Sequence, residues 1–483
     1  MTDTQARTHE PSVDIREAGL REQVRWFSMF WVLAALAHFT DSDPIGLLPV
    51  LAFGIPVLIF PESALAFAGF VVAAGVTCAT SLPNAANHEI ISVLIAATFA
   101  IAGAYVWFGR RRIAEGESFL TRWFETARAP AAMTLVVVYL FTVFHKLNTG
   151  FFDPATSCAG ALLGKMLELN GATVTLSPSI IQASAFGTIA VESLIMVSLA
   201  APALRRFGLP LGIGFHLVLA PASFWDFATL VFALYMLFVP ARVFAKLAPR
   251  ASTPRVIALG AIGMHLMLAT TASLGGGGIG PFGVRLNSLL VLSWYVGMIP
   301  MLFLLVRTIL ADRGPWPGWR VRPVVLLVIP LLAFVNGMAP YLGLKTVSSY
   351  SMFSNLHTEQ GATNHLLPVV SKLQLTGYER DVITVTDINM VAGEGVDPME
   401  PQWTDEKPPA TIPVLELRRV LAQWRSEGVQ RVGLKYERDG VTHEVADALT
   451  DPVLGVAPAW WQQSLLAFRA VNSADGGPNI CRW

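Results

Sequence analysis

Cysteine is nearly absent from this 483-residue chain. Three occur, Cys78, Cys158 and Cys481, with no CxxC pair and no ligand-like His/Cys spacing. That removes thiolate zinc and iron–sulfur centres from consideration, and no metal is expected. Charge is scarce as well: 14% of residues are Asp, Glu, Lys or Arg, and 34 basic side chains balance 34 acidic ones. A chain without an excess of Lys and Arg cannot draw affinity from phosphates, so no nucleic-acid partner is expected. What is plentiful is apolar. Hydrophobic residues make up 53% of the chain and mean hydropathy is +0.53, which suits a polytopic membrane protein and no ordinary soluble domain.

Apolar stretches of about 16 to 24 residues, enough at about 1.5 Å per residue to cross a hydrocarbon core, fall near 25–40, 45–60, 63–80, 89–108, 129–147, 179–201, 207–223, 227–245, 256–275, 284–306 and 322–342. They predict an all-α polytopic membrane bundle of about eleven transmembrane helices over residues 25–342. A polar tail at 1–24, carrying Arg7, Arg16 and Arg21, precedes it. With alternating helices, one side collects about 19 Lys and Arg and the other about 3. Cytoplasmic loops are the basic ones, so the N-terminus is expected in the cytoplasm, in an inner or plasma membrane.

From about residue 343 the composition changes, and residues 343–483 read as a smaller extracytoplasmic soluble α+β domain, mainly β. "VITVTDI" reads as a strand, "VGLKYER" and "VTHEV" as a hairpin through Asp439-Gly440, and Val414 to Gly428 as an amphipathic helix stopped by glycine. The Pro-rich "DPMEPQWTDEKPPATIP" (397–413) reads as an exposed loop, and "GGGG" at 275–278 as a flexible outer turn. Cys158 and Cys481 both fall outside and are expected to pair, where an oxidising compartment preserves disulfides. Cys78 is expected to be a packing residue.

Ionisable groups inside a span cost about 2.5–3.5 kcal/mol at its centre, so each needs a reason. Lys146 ends the fifth stretch. It either snorkels outward to the headgroups or sits desolvated as a neutral base. Asn87 and His88 open the fourth stretch, as a helix cap or a site. Glu192 lies in the sixth, where it could be the buried partner of an arginine or lysine. His216 lies in the outer half of the seventh, in an interhelical hydrogen bond or a site. His145 points about 100° away from Lys146 around the helix and is a poor direct partner for it. Arg285 and Asn287 could bind an anion or carboxylate.

In order and spacing, Asn87-His88, "YLFTVFHKLNTGFF" (139–152), "RRFGLPLGIGFHLVLAPASFWDFATLVFALYMLFVP" (205–240) and "SSYSMFSNLHTEQGATNHLLPV" (348–369) resemble the horizontally transferred transmembrane domain family, which includes vitamin K-dependent gamma-glutamyl carboxylase. The resemblance covers roughly residues 20 to 370. It implies that Lys146 is the catalytic base, that Asn87-His88 is an Asn-His pair beside the quinone and that His216 is the histidine of a Phe-His motif; His88 and His216 are expected to share in catalysis, and His145, Glu192 and His365 to contact the quinone with Asn87. It also implies a reduced, vitamin K-like quinone as cofactor, O2 and CO2 as co-substrates, and a secreted or membrane peptide glutamate as acceptor. Three features depart from the family: His145 replaces a second lysine before Lys146, "LNTGFF" (147–152) replaces an Asp-containing acidic turn, and the outer domain is short. A non-catalytic protein binding quinone, lipid or a secreted peptide is the other reading these residues permit.

Overall fold

The computed structural model describes residues 10–42, 44–222, 224–275, 286–359, 363–367, 369–370, 373–393, 395–396, 398, 410–471 and 481. The first half is helical: α1 (Glu10–Ser42), α2 (Pro44–Ile59), α3 (Ala64–Thr80), α4 (Asn87–Phe108), α5 (Phe119–Lys146), the short α6 (Thr149–Phe152) and α7 (Cys158–Leu169), α8 (Pro178–Ala200) and α9 (Arg205–Leu219). There follow α10 (Trp225–Met236), α11 (Ala241–Leu247), α12 (Ser252–Gly275), α13 (Leu286–Ala311) and α14 (Val328–Met338). Several starts are written locally. Ser63, Ser118 and Ser177 each accept a hydrogen bond on Oγ from the backbone N–H three residues on, which caps α3, α5 and α8.

Each apolar stretch of the sequence coincides with helix, but length separates them. Among the described residues six helices are long and apolar enough to cross a membrane, or seven if α10 and α11 count as one span bent by 110°. The bend falls at Pro240, which has no N–H for the helical ladder. α2 and α3 have only 16 and 17 residues, and α14 is a short helix entered through a 3₁₀ turn. α1 begins at Glu10, well before residue 25; residues 1–9 lie outside the described set.

α1 packs against α2, α10, α11 and α12. Its Phe27 is fully buried and meets Phe99 of α4 at 5.1 Å and Phe124 of α5 at 5.4 Å. The opposite faces are apolar too: Leu65, Val72, Phe186, Leu194 and Phe303 are all more than half exposed. A bundle that is hydrophobic inside and out fits a lipid bilayer.

The C-terminal part is a four-stranded antiparallel sheet of β1 (Val382–Ala392), β2 (Ala410–Pro413), β3 (Val429–Arg438) and β4 (Val441–Val445), in the order β2-β1-β3-β4. Asp439 and Gly440 both take positive φ, the requirement of a two-residue hairpin turn, and Arg438 faces Val441. α15 (Val414–Glu427) buries Leu417, Val420, Leu421 and Trp424 beneath the sheet and stops at Gly428, whose φ is 98°. A last short helix, α16 (Trp460–Leu465), follows. One expectation fails here. The described end of the Pro-rich stretch, Ala410–Pro413, is buried strand, because Thr411 and Ile412 complete the sheet edge over the core; residues 399–409 lie outside the described set, as do 276–278 of the "GGGG" run.

Candidate functional site

Lys146 is the last residue of α5, and only 7% of it is exposed. Its Nζ donates to the carbonyl of Thr142, one turn back along its own helix (3.1 Å), and to both Glu192 oxygens, Oε2 at 2.8 Å and Oε1 at 3.1 Å. The side chain therefore runs back along α5 into the bundle. Snorkelling to the headgroups is not what it does. Glu192, 8% exposed on α8, is the acid of this pair, which answers why each charge is tolerated inside an apolar bundle.

Two turns earlier on the same face of α5, Tyr139 Oη meets His216 Nε2 of α9 at 2.7 Å and Tyr235 Oη of α10 at 2.5 Å. Tyr139 and Lys146 are seven residues apart on α5, so the hydroxyl pair stands two turns from the ion pair along one face of that helix. His216 is buried, and its Nδ1 has no hydrogen-bond partner among the described residues. An unmatched polar atom in a buried imidazole is costly and calls for a ligand, a water or a role. Between α5 and α8, Val136, Val137, Leu140, Met196 and Val197 line an open apolar groove of about 420 Å³.

The other residues singled out from the sequence lie elsewhere. His145 Nε2 donates to the Gly337 carbonyl of α14 at 3.0 Å, and its ring packs on Phe141 and Tyr341. Asn87 is the first residue of α4, not its cap. Its Oδ1 accepts from Tyr350 N at 2.9 Å, which fastens the segment after α14 to the helix start. His365 uses both ring nitrogens on backbone: Nε2 donates to Phe144 O and Nδ1 accepts from Leu367 N, each at 3.0 Å. That leaves it no capacity for a substrate. Asn287 Nδ2 reaches Leu169 O and Asn170 Oδ1 at 3.4 Å; Arg285 lies outside the described residues. His88 turns to His38 of α1 and Asp226 of α10, at 2.8 Å and 3.3 Å. No family model, no curated protein and no solved structure matches this chain.

Sequence reasoning missed several residues. Asn148, fully buried just after Lys146, donates to His145 O (2.7 Å) and Ser354 O (2.6 Å) and accepts from Phe151 N (2.9 Å) and Asn364 (3.2 Å). It ties the end of α5 to Ser354 and Asn364 in the segment after α14. In that segment Ser348, Tyr350, Phe353 and Asn355 all have φ between 52° and 63°, left-handed backbone that the surrounding hydrogen bonds must hold. Cys158 and Cys481 form a disulfide, as expected, and Cys78 is buried packing.

Outside the helices, His357 Nδ1 meets Glu359 Oε2 at 2.8 Å, and Gln374 Nε2 donates to Glu379 Oε2 at 3.3 Å. Burial opposes ionisation of Glu359, but the His357 hydrogen bond and charge, with the Thr358 N–H, outweigh it and hold its pKa low. Glu379, wholly buried, is pushed up first by that burial and then by the charge of Glu359. One acid of this pair is ionised and the other protonated at neutral pH.

Proposed function

We propose that this chain is an integral membrane enzyme that binds a reduced quinone against the α5–α8 interface and uses Lys146 as the base that removes a phenolic proton. The observation that carries the reading is the lysine turned back into the bundle and paired with Glu192. Two others support it. The apolar groove runs between the two helices that bear the pair, a place for a lipid-soluble ring and tail. The unmatched His216 Nδ1 offers one polar contact of the kind such a ring needs. Bound there, a reduced quinone would give up its phenolic proton and reduce O2, and so supply the basicity that removes a proton from a peptide glutamate before CO2 adds, or that drives a related modification. The protein's part is local. Within the ion pair Lys146 passes a proton to the Glu192 carboxylate, the amine so freed takes the phenolic proton at Nζ, and the apolar wall of the groove keeps water from the exchange.

The same reading places α1, α2, α3 and α14 in the membrane with the six long helices and the bent pair, for eleven crossings. On α2, α3 and α14 the outward residues Phe53, Ile59, Val76 and Phe334 are exposed and apolar. It sets the N-terminus in the cytoplasm by the excess of Lys and Arg on that side, and the sheet outside, where the Cys158–Cys481 disulfide would persist.

The engagement of His145, Asn87 and His365 with backbone favours a second reading: a non-catalytic membrane protein that binds quinone, lipid or a secreted peptide. Oxygen uptake separates the two. Purified protein in nanodiscs, given a panel of hydroquinones, should consume oxygen, and Lys146→Ala should not. Quinone binding without uptake by folded wild type supports the binding module instead.

A further inference from the structure

His38, near the end of α1, turns Nδ1 toward two atoms at once. Asp226 Oδ2, in the first turn of α10, is 3.1 Å away, and His88 Nε2, in the first turn of α4, is 2.8 Å away. His88 Nε2 is itself 3.3 Å from the same carboxylate oxygen. Three donor atoms from three helices therefore converge on one point. Protons satisfy this arrangement poorly. A hydrogen on each nitrogen lets both donate to Asp226 but leaves His38 Nδ1 and His88 Nε2 facing each other as two donors at 2.8 Å, and a hydrogen on only one of them leaves one of the three contacts with none. A cation accepts all three.

We propose that His38, His88 and Asp226 bind one divalent first-row transition-metal ion, against the expectation of no metal that the composition gave. The distances fit a coordination shell. Ligands about 2.1 Å from an ion are about 3.0 Å apart at right angles and about 3.4 Å apart in a tetrahedron. The edges of 3.1 and 3.3 Å lie within that range, and the edge of 2.8 Å lies just below it. A point about 2.1 Å from all three atoms lies about 1 Å off their plane, so no ligand has to move far to reach the ion.

The surroundings are those of a metal ligand set. His38 Nε2, the nitrogen facing away, lies 3.4 Å from Glu89 Oε1. Glu89 is held in turn by Ser81 Oγ at 2.5 Å and Ala86 N at 2.7 Å. A carboxylate behind a ligating histidine sets its tautomer and orients its ring. Charge closes as well: Asp226 and Glu89 contribute two negative charges, both imidazoles stay neutral as ligands, and a divalent ion brings the cluster to zero inside an apolar bundle. Trp31, Cys78 and Ser92 line the adjoining cavity of about 10 Å³ with the three ligands, near the room one water needs. Two imidazoles select Fe, Zn, Ni or Cu over Mg or Ca, and three protein ligands leave coordination positions open. The site shares no residue with the Lys146–Glu192 pair, and Phe227 stands between the His88 ring, at 6.3 Å, and the His216 ring, at 5.4 Å.

The test uses full-length protein in nanodiscs, stripped by a chelator and titrated with Co2+ as the probe. The expected result is one Co2+ per chain, with visible ligand-field bands of an imidazole–carboxylate site, displaced by Zn2+. His88→Gln and Asp226→Asn should weaken binding at least tenfold, while Lys146→Ala keeps it. Because a variant could fail to fold, the wild-type spectrum and stoichiometry decide on their own. Wild type that takes up no Co2+ above its aqueous background, or only with the spectrum of the hydrated ion, overturns the site. So does full Co2+ binding retained by folded His88→Gln and Asp226→Asn.

Discussion

Lys146 Nζ lies 2.8 Å from Glu192 Oε2, across the contact of α5 with α8, and both residues are more than nine-tenths buried. Breaking such a pair from one side leaves a charge without its partner in an apolar interior, at a cost of about 3–5 kcal/mol. Lys146→Met and Glu192→Leu should therefore each destabilise the bundle strongly, and the double variant should recover much of the loss. Thermal unfolding in nanodiscs checks this. Additive losses in the double variant would show that the two side chains are not coupled.

Asn148 should be as sensitive as the pair although it carries no charge. Truncating it strands the carbonyls of His145 and Ser354 and the N–H of Phe151. Each unsatisfied buried group costs about 1–3 kcal/mol. Asn148→Ala should loosen the segment 346–367 from the end of α5, seen as faster hydrogen exchange there while α1 and α4 stay protected. Unchanged exchange in that segment would contradict the tie.

Gly212 in α9 tests the hydroxyl pair. An alanine in place of glycine ordinarily stabilises a helix by about 1 kcal/mol. Here its Cβ would collide with the Tyr235 hydroxyl and lie 2.6 Å from the ring carbon that bears it. Overpacking costs about 1–3 kcal/mol, so the sign should reverse. Gly212→Ala should lower the melting temperature and displace Tyr235 from Tyr139. A raised melting temperature would contradict that packing.

The Glu359–Glu379 pair sets a pH dependence outside the helices. Glu379 has a folded pKa raised by burial and by Glu359. Its contribution is fully present below its ordinary value of 4.5 and is lost as pH rises through the raised one. Glu359, held low, contributes the opposite slope in acid: its stabilisation is present above 4.5 and lost as pH falls through its folded value. His357, Arg469 and Thr358 are the groups that face Glu359. Glu379→Gln should thus gain on wild type as pH rises above 4.5, read as slower hydrogen exchange in β1 and α15 at matched pH. An equal response of the two proteins across that range would contradict the assignment.

What could be read from the sequence was what is written locally. Asp439-Gly440 turns the hairpin because both residues take positive φ, Gly428 ends α15 in the left-handed region, and serines cap α3, α5 and α8. Each apolar stretch overlaps a helix for the same reason, although among the described residues only six helices, or seven with the bent pair, are long and apolar enough to cross a membrane. Their lengths were harder: Pro240 bends α10 from α11, a matter of packing that hydropathy does not report. The site was half legible. An isolated Lys146 and an isolated Glu192 each looked anomalous in a span, but their 46-residue separation carries no register, so only the fold pairs them. His38 and Asp226 left no trace at all. They are 188 residues apart, on helices that meet only in three dimensions.

The most direct measurement of the central claim is the product. Wild type in nanodiscs, beside Lys146→Ala and the charge-balanced Lys146→Ala/Glu192→Gln, is incubated with reduced quinones and oxygen, and quinone epoxide is sought by mass spectrometry. Epoxide from wild type and from neither variant is the predicted result. No epoxide from folded wild type that binds quinone, or equal epoxide from both folded variants, would contradict Lys146 as the base.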